Sequence, residues 1–149
     1  MKKTILTLVL VTLISLDVVS QVEYKVITSV ESIVSSGLGR SRIVSASEER
    51  NYKDFSSNRS DEDDERNKSD RSEIRVKNFE ETKLLNFFNL GGIRFQNIAA
   101  NDAVVTSKIN TMVEEGWELA FVTSAVESDG GKDDGQGIFI TRYIFKRQK

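Results

Sequence analysis

The stretch from Ala103 to Thr123 reads AVVTSKINTMVEEGWELAFVT, and the two periods inside it decide the fold. Val105, Ile109, Met112 and Val113 recur at i, i+4, i+7 and i+8, which lines one side of an α-helix, while Lys108, Asn110, Glu114 and Glu115 point elsewhere. Asn101 or Asp102 suits the start of that helix, because a short side-chain oxygen there accepts a first-turn N–H. Gly116 suits its end, because glycine enters the left-handed backbone region without a Cβ penalty. Past the glycine the period becomes two: Trp117, Leu119, Phe121 and Thr123 fall on one side of a strand, Glu118, Ala120 and Val122 on the other. A helix from Ala103 to Glu115 is about 20 Å long at about 1.5 Å per residue. A strand of about six or seven residues spans nearly the same distance, so the helix can lie along a sheet and cover it. Trp117, Ile109, Val113 and Phe121 are the expected core, with the indole folded back between helix and sheet; the alternative for Trp117 is a stacking platform for a sugar or aromatic ligand.

Working outward, the N-terminus reads as a secretory signal peptide over residues 1–20. Lys2 and Lys3 give a positive start, Thr4 to Leu16 carries no charge, and Val18, Val19 and Ser20 precede a cleavage site before Gln21. Asp17 cuts the apolar run short of a membrane span, and no cysteine follows it to accept a lipid. The expected product is an exported, soluble, single domain over 21–149, with no membrane span after cleavage. Removing 1–20 lowers lysine plus arginine from 21 to 19 and aspartate plus glutamate from 23 to 22, a net charge of −3, which argues against nucleic acid as a partner. The chain has neither histidine nor cysteine. That removes Ser-His-Asp and Cys-His nucleophiles and the usual zinc ligands, and no cofactor is implied.

Val22 to Val30 alternates as a strand, and Ile33 and Val34 extend it. Ser35 to Arg42, SSGLGRSR, reads as a turn into a second strand at Ile43 and Val44; as an alternative, its amides with Arg40 and Arg42 form an anion site. From Ser47 to Glu73 ten acids and six bases stand among few apolar residues, which predicts a charged flexible insertion centred on Asp61 to Glu65. Asn78 and Glu81 resemble a capping pair for a short helix over Phe79 to Leu90, with a buried strand as the alternative. Ile93, Phe95 and Ile98 suggest a brief extended piece. After the Trp117 strand, an acidic glycine-rich loop leads to a final strand, Ile138 to Lys146, apolar on both faces and therefore central. Loop carboxylates Glu127, Asp129, Asp133 and Asp134 are candidate calcium ligands.

The Glu115-Gly116-Trp117-Glu118-Leu119 stretch after a helix, and a closing strand ending Ile144-Phe145-Lys146-Arg147, resemble a small bacterial family, domain of unknown function 4177. The likeness covers residues 22–30 and roughly 103–147, and leaves the middle of the chain unaccounted for. It implies a small α+β domain in which a helix packs on a sheet, and it brings no activity and no catalytic residues.

The expected architecture is α+β: a mainly antiparallel sheet of three or four strands, one principal helix packed on one face, and a short second helix. Were the Val22 and Trp117 strands neighbours, they would run parallel. The expected function is an exported, non-catalytic binding or interaction module that meets a protein partner or a second copy through a sheet edge or through the surface near Phe87, Phe88 and Phe95. The alternative is a small periplasmic hydrolase using Glu114, Glu115, Glu118 or the loop aspartates as acid and base.

Overall fold

In the computed structural model, which describes residues 21–34, 39–61, 66–127 and 137–149, the alternating segment after Gln21 forms strand β1 (Val22–Ser32). It is followed by β2 (Ser41–Ala46), a 3₁₀ turn (Tyr52–Phe55), the one-turn helix α1 (Arg71–Ile74) and β3 (Phe79–Leu84). A two-strand hairpin, β4 (Phe88–Asn89) and β5 (Gly92–Ile93), then leads into the long helix α2 (Phe95–Glu114). Strands β6 (Glu118–Glu127) and β7 (Ile138–Gln148) complete the chain. The main sheet has five strands in the order β3-β2-β1-β7-β6, and every pairing is antiparallel. The α+β class with one principal helix on a mainly antiparallel sheet is therefore the observed one. β1 neighbours β2 and β7, not β6, so the parallel pairing considered for the Val22 and Trp117 strands does not arise.

Two local expectations are corrected. Residues 79–84 form a strand paired along its whole length with β2, not a helix, and the Asn78 side chain donates to Glu48 instead of starting a helical turn. The long helix begins at Phe95 behind Arg94, which makes no side-chain capping bond, so Phe95 and Ile98 are helical and Asn101 lies in the helix interior. The described part of the segment 47–73 holds the 3₁₀ turn and most of α1, and the Asn67 amide donates to the carbonyl of Asp54 at 2.8 Å. Its acidic centre at 62–65 lies outside the described residues, as do the signal segment and most of the glycine-rich loop.

The end of α2 follows from its sequence. Gly116 sits at φ +84°, its N–H donates to Val113 O, and Trp117 N–H donates to Met112 O, both at 3.0 Å. This is the pair of bonds that satisfies the last carbonyls of a helix closed by a left-handed residue. Among the described residues, nothing beyond its own chain neighbours lies within 4 Å of where a Gly116 Cβ would stand. Gly116→Ala is therefore expected to cost only the backbone penalty, about 1–2 kcal/mol, read as a lower urea midpoint with an unchanged slope.

The core lies between α2 and one face of the sheet. Ile27 of β1, Ile43 of β2, Leu84 of β3, Phe145 of β7, Met112 of α2 and Trp117 form one buried cluster, against which Val104, Val105, Ile109 and Tyr143 pack. Every strand of the main sheet except β6 contributes to it. Two expected core residues fall outside. Val113 is 54% exposed at the flank of the helix stripe, and Phe121 is 61% exposed on the far side of the sheet.

Candidate interaction surface

The uncovered position of β6 comes from where the helix is held. At one end the 5%-exposed Trp117 is wedged into the core, with the Arg147 guanidinium stacked 4.2 Å from its ring and bonded to Glu23 at 3.0 Å. At the other end Asn101, 2% exposed, accepts from Leu85 N–H and donates to Leu85 O and to Glu31 Oε1, each at 2.8 Å. Both anchors tie α2 to β1, β3 and β7. β6 overhangs beyond the helix, and all ten of its residues are exposed.

Its register contains an irregularity that sorts the side chains. Leu119 pairs with Phe145 and Phe121 with Ile144, so Ala120 is an extra residue in the ladder. A bulge of this kind shifts the alternation by one. Leu119, Val122 and Val126 therefore share the helix side with Phe145, Tyr143 and Phe139, while Phe121 and Ala125 share the opposite side with Ile144 and Ile140. On that opposite side β1 presents Val22, Tyr24 and Val26, all exposed, with Tyr24 at 65%. A sheet face that carries these apolar side chains around Arg142 and Lys146 thus adjoins a long apolar edge along β6. The other edge differs: β3 reads FEETKL, with Glu80 paired to Lys108 of α2 at 2.8 Å and Glu81 paired to Arg42. Charges on an edge strand discourage pairing with another chain. On β6 the only charges are Glu118 and Glu127 at its two ends, and Glu118 is paired to Lys146 at 3.2 Å.

The remaining candidate residues are scattered. Arg42 is held by Glu81 and by its own neighbour's carbonyl, Ser41 O, while Arg40 is exposed; residues 35–38 of the candidate anion loop lie outside the described residues. Asp129, Asp133 and Asp134 lie outside the described residues, and no group of acids placed to hold a metal ion occurs among the described ones. Phe87 packs on Phe139 with ring centres 6.0 Å apart, whereas Phe95 is exposed at the start of α2. A cleft of about 510 Å³ opens at the C-terminal end of α2, lined by Trp117, Arg147, Lys25, Glu23, Glu48 and Glu115 among others. Glu23 in it is bonded to Arg147, and Glu48 is held below the usual carboxylate range, first by its hydrogen bond from Arg50. An acid catalyst needs a carboxyl pushed the other way.

One carboxyl is pushed upward, and it lies between the helix and β1. Burial raises the Glu31 pKa, the Asn101 bond opposes this, and the Asp102 charge adds to it. Nearby, burial also lifts the Tyr143 hydroxyl; the Ser29 hydroxyl offsets part of this, although the buried Ser29 Oγ lacks the geometry of a full hydrogen bond. A carboxyl raised in the folded state favours folding when protonated, so stability falls as pH climbs from its unfolded value, about 4.3, through its folded one. Glu31→Gln is expected to keep an oxygen for Asn101 and to be more stable than the wild type at pH 7, since an uncharged side chain avoids the burial that raises the Glu31 carboxyl. The gain should vanish near pH 4 in paired thermal melts.

Among the described residues, fold and surface together define an α+β domain with a five-strand sheet, one principal helix, and one guarded and one open sheet edge. Comparison with known proteins finds no matching family model, no matching curated protein and no matching solved structure. Among the described residues no helix is long and apolar enough to cross a membrane.

Proposed function

We propose that this protein is an exported, non-catalytic interaction module whose working surface is strand β6 together with the adjoining sheet face of Phe121, Ala125, Tyr24 and Val26. The observation that carries the reading is the exposure of all ten β6 residues in a strand whose middle bears no charge. An open edge offers unpaired N–H and C=O groups to an extended segment, and alternating side chains give it selectivity. Export is supported by the charged start and apolar run of residues 1–20. The absence of histidine and cysteine supports a non-catalytic role. The hydrolase alternative draws less support, since Glu114 is exposed on the helix, Glu118 is paired to Lys146, and Glu115 lines the cleft beside carboxylates already engaged by cations. Kinship with the domain of unknown function 4177 family is part of the proposal. It is supported by the left-handed Gly116 and by the Trp117 and Arg147 stack, both built from the residues that carry the likeness.

The test is selection of binders from a library of displayed linear peptides, followed by hydrogen exchange on the bound protein. Selected peptides should be rich in β-branched residues and should protect the amides of Phe121 to Glu127. Val122→Lys should weaken them at least tenfold. Protection confined to the Trp117 cleft, or binding indifferent to Val122→Lys, would overturn the reading.

A further inference from the structure

We propose that the segment docking on β6 is β6 of a second copy of this chain, paired antiparallel about a two-fold axis at Ser124. The inference rests on the reading of β6 as a docking edge and names its occupant.

The bulge at Ala120 sets the usable length. Because the ladder is disrupted there, the regular part of the edge runs from Phe121 to Glu127, and its central residue is Ser124. A two-fold axis at Ser124 sets Val122 opposite the partner's Val126, and by symmetry the reverse, so two aliphatic pairs form on the helix side. On the other side Thr123 meets the partner's Ala125 and Phe121 meets the partner's Glu127. Side chains keep their faces, as an edge pairing requires, and no carboxylate faces another.

Charge also fits a copy. Arg142 of β7 is exposed, stands on the same face as Glu127, and has no ion pair among the described residues. In the paired sheet its Cα lies about 12 Å from that of the partner's Glu127, from two strand spacings sideways and one side-chain repeat along, within reach of the two side chains together. The match occurs twice. A head-to-tail chain of copies is disfavoured because the other edge, β3, carries Glu80, Glu81 and Lys83 in ion pairs or exposed. What remains is a closed pair with the same patch on both sides. Its small contact places it at the weak end of specific interfaces, so association should follow concentration.

Light scattering after size exclusion, on purified protein from about 10 µM to 1 mM, should show the mass rising toward twice the monomer value. Hydrogen exchange on the same samples should show Phe121 to Glu127 protected at high concentration and released on dilution. At the two-fold centre a charge meets itself, so Ser124→Lys alone and Ser124→Asp alone should each weaken the dimer at least tenfold, with unchanged circular dichroism. An equal mixture of the two should regain it as a heterodimer. A wild-type monomer at 1 mM, concentration-independent exchange of Phe121 to Glu127, or variants that fail to complement in the mixture would each overturn the proposal. If the protein is monomeric while selected peptides still protect β6, the docking edge stands and the second copy falls.

Discussion

Trp117→Ala is expected to lower the unfolding free energy by about 3–5 kcal/mol, the range for emptying a buried aromatic site, and to abolish the weak quenching that a 5%-exposed indole should show toward acrylamide. Two losses combine at this position, and one bond is kept. The indole is a member of the single buried cluster, so its loss leaves a void between Met112, Phe145 and the sheet. Its ring carries the Arg147 guanidinium at 4.2 Å, a cation–π contact worth about 1 kcal/mol where solvent is partly excluded. Its N–H closes the last turn of α2 through Met112 O, and that bond survives the substitution because it is made by the backbone. Trp117→Phe should recover more than half of the loss, since most of the volume returns while the stacking surface shrinks. Urea unfolding followed by circular dichroism measures both variants; Trp117 is the chain's one tryptophan, so fluorescence is lost with it. A loss below about 1 kcal/mol for the alanine variant would mean the indole is not part of the core.

That the helix ends where it does was readable from Gly116 and Trp117 alone, because both closing bonds are made within five residues. Its beginning was not. Arg94 makes no capping bond with its side chain, and Ile93, Arg94, Phe95 and Gln96 alternate apolar with polar as a strand does, while Phe95 and Ile98 stand at a helical spacing. The β3 segment was misread for a related reason: Glu80, Glu81 and Lys83 interrupt its apolar pattern, and what makes it a strand is the long-range pairing with β2. Period-two counting placed Phe121 with Trp117 and Leu119 on the covered side, and one inserted residue at Ala120 reversed it. Alternation tells which residues share a face. It does not tell which face a helix will cover, and that choice left β6 open.

Asn101 makes that choice, and Asn101→Ala is expected to cost about 3 kcal/mol, nearly as much as losing the tryptophan. The reason lies in what is left behind. The side chain accepts from Leu85 N–H and donates to Leu85 O and Glu31, all at 2.8 Å, and is itself 2% exposed. Removing it takes away three part-buried hydrogen bonds at once, at about 1 kcal/mol each. Asn101→Leu separates packing from hydrogen bonding, since it restores the volume but none of the bonds, and should be no more stable than the alanine variant. Asn101→Asp keeps an acceptor for Leu85 N–H, yet sets a new carboxylate against Leu85 O and beside Glu31 and Asp102. Its pKa should rise in the folded state, so this variant should regain more stability as pH falls toward 4 than the alanine variant, in which Glu31 alone is raised. The same substitutions bear on function. The clamp and the Trp117 wedge hold α2 over β1 and β3, so releasing the clamp frees the N-terminal half of the helix to cover Val122 and Val126. Hydrogen exchange in Asn101→Ala should then show slower exchange along β6 together with faster exchange at Leu85, the signature of a helix that has moved toward the edge its anchors normally keep clear.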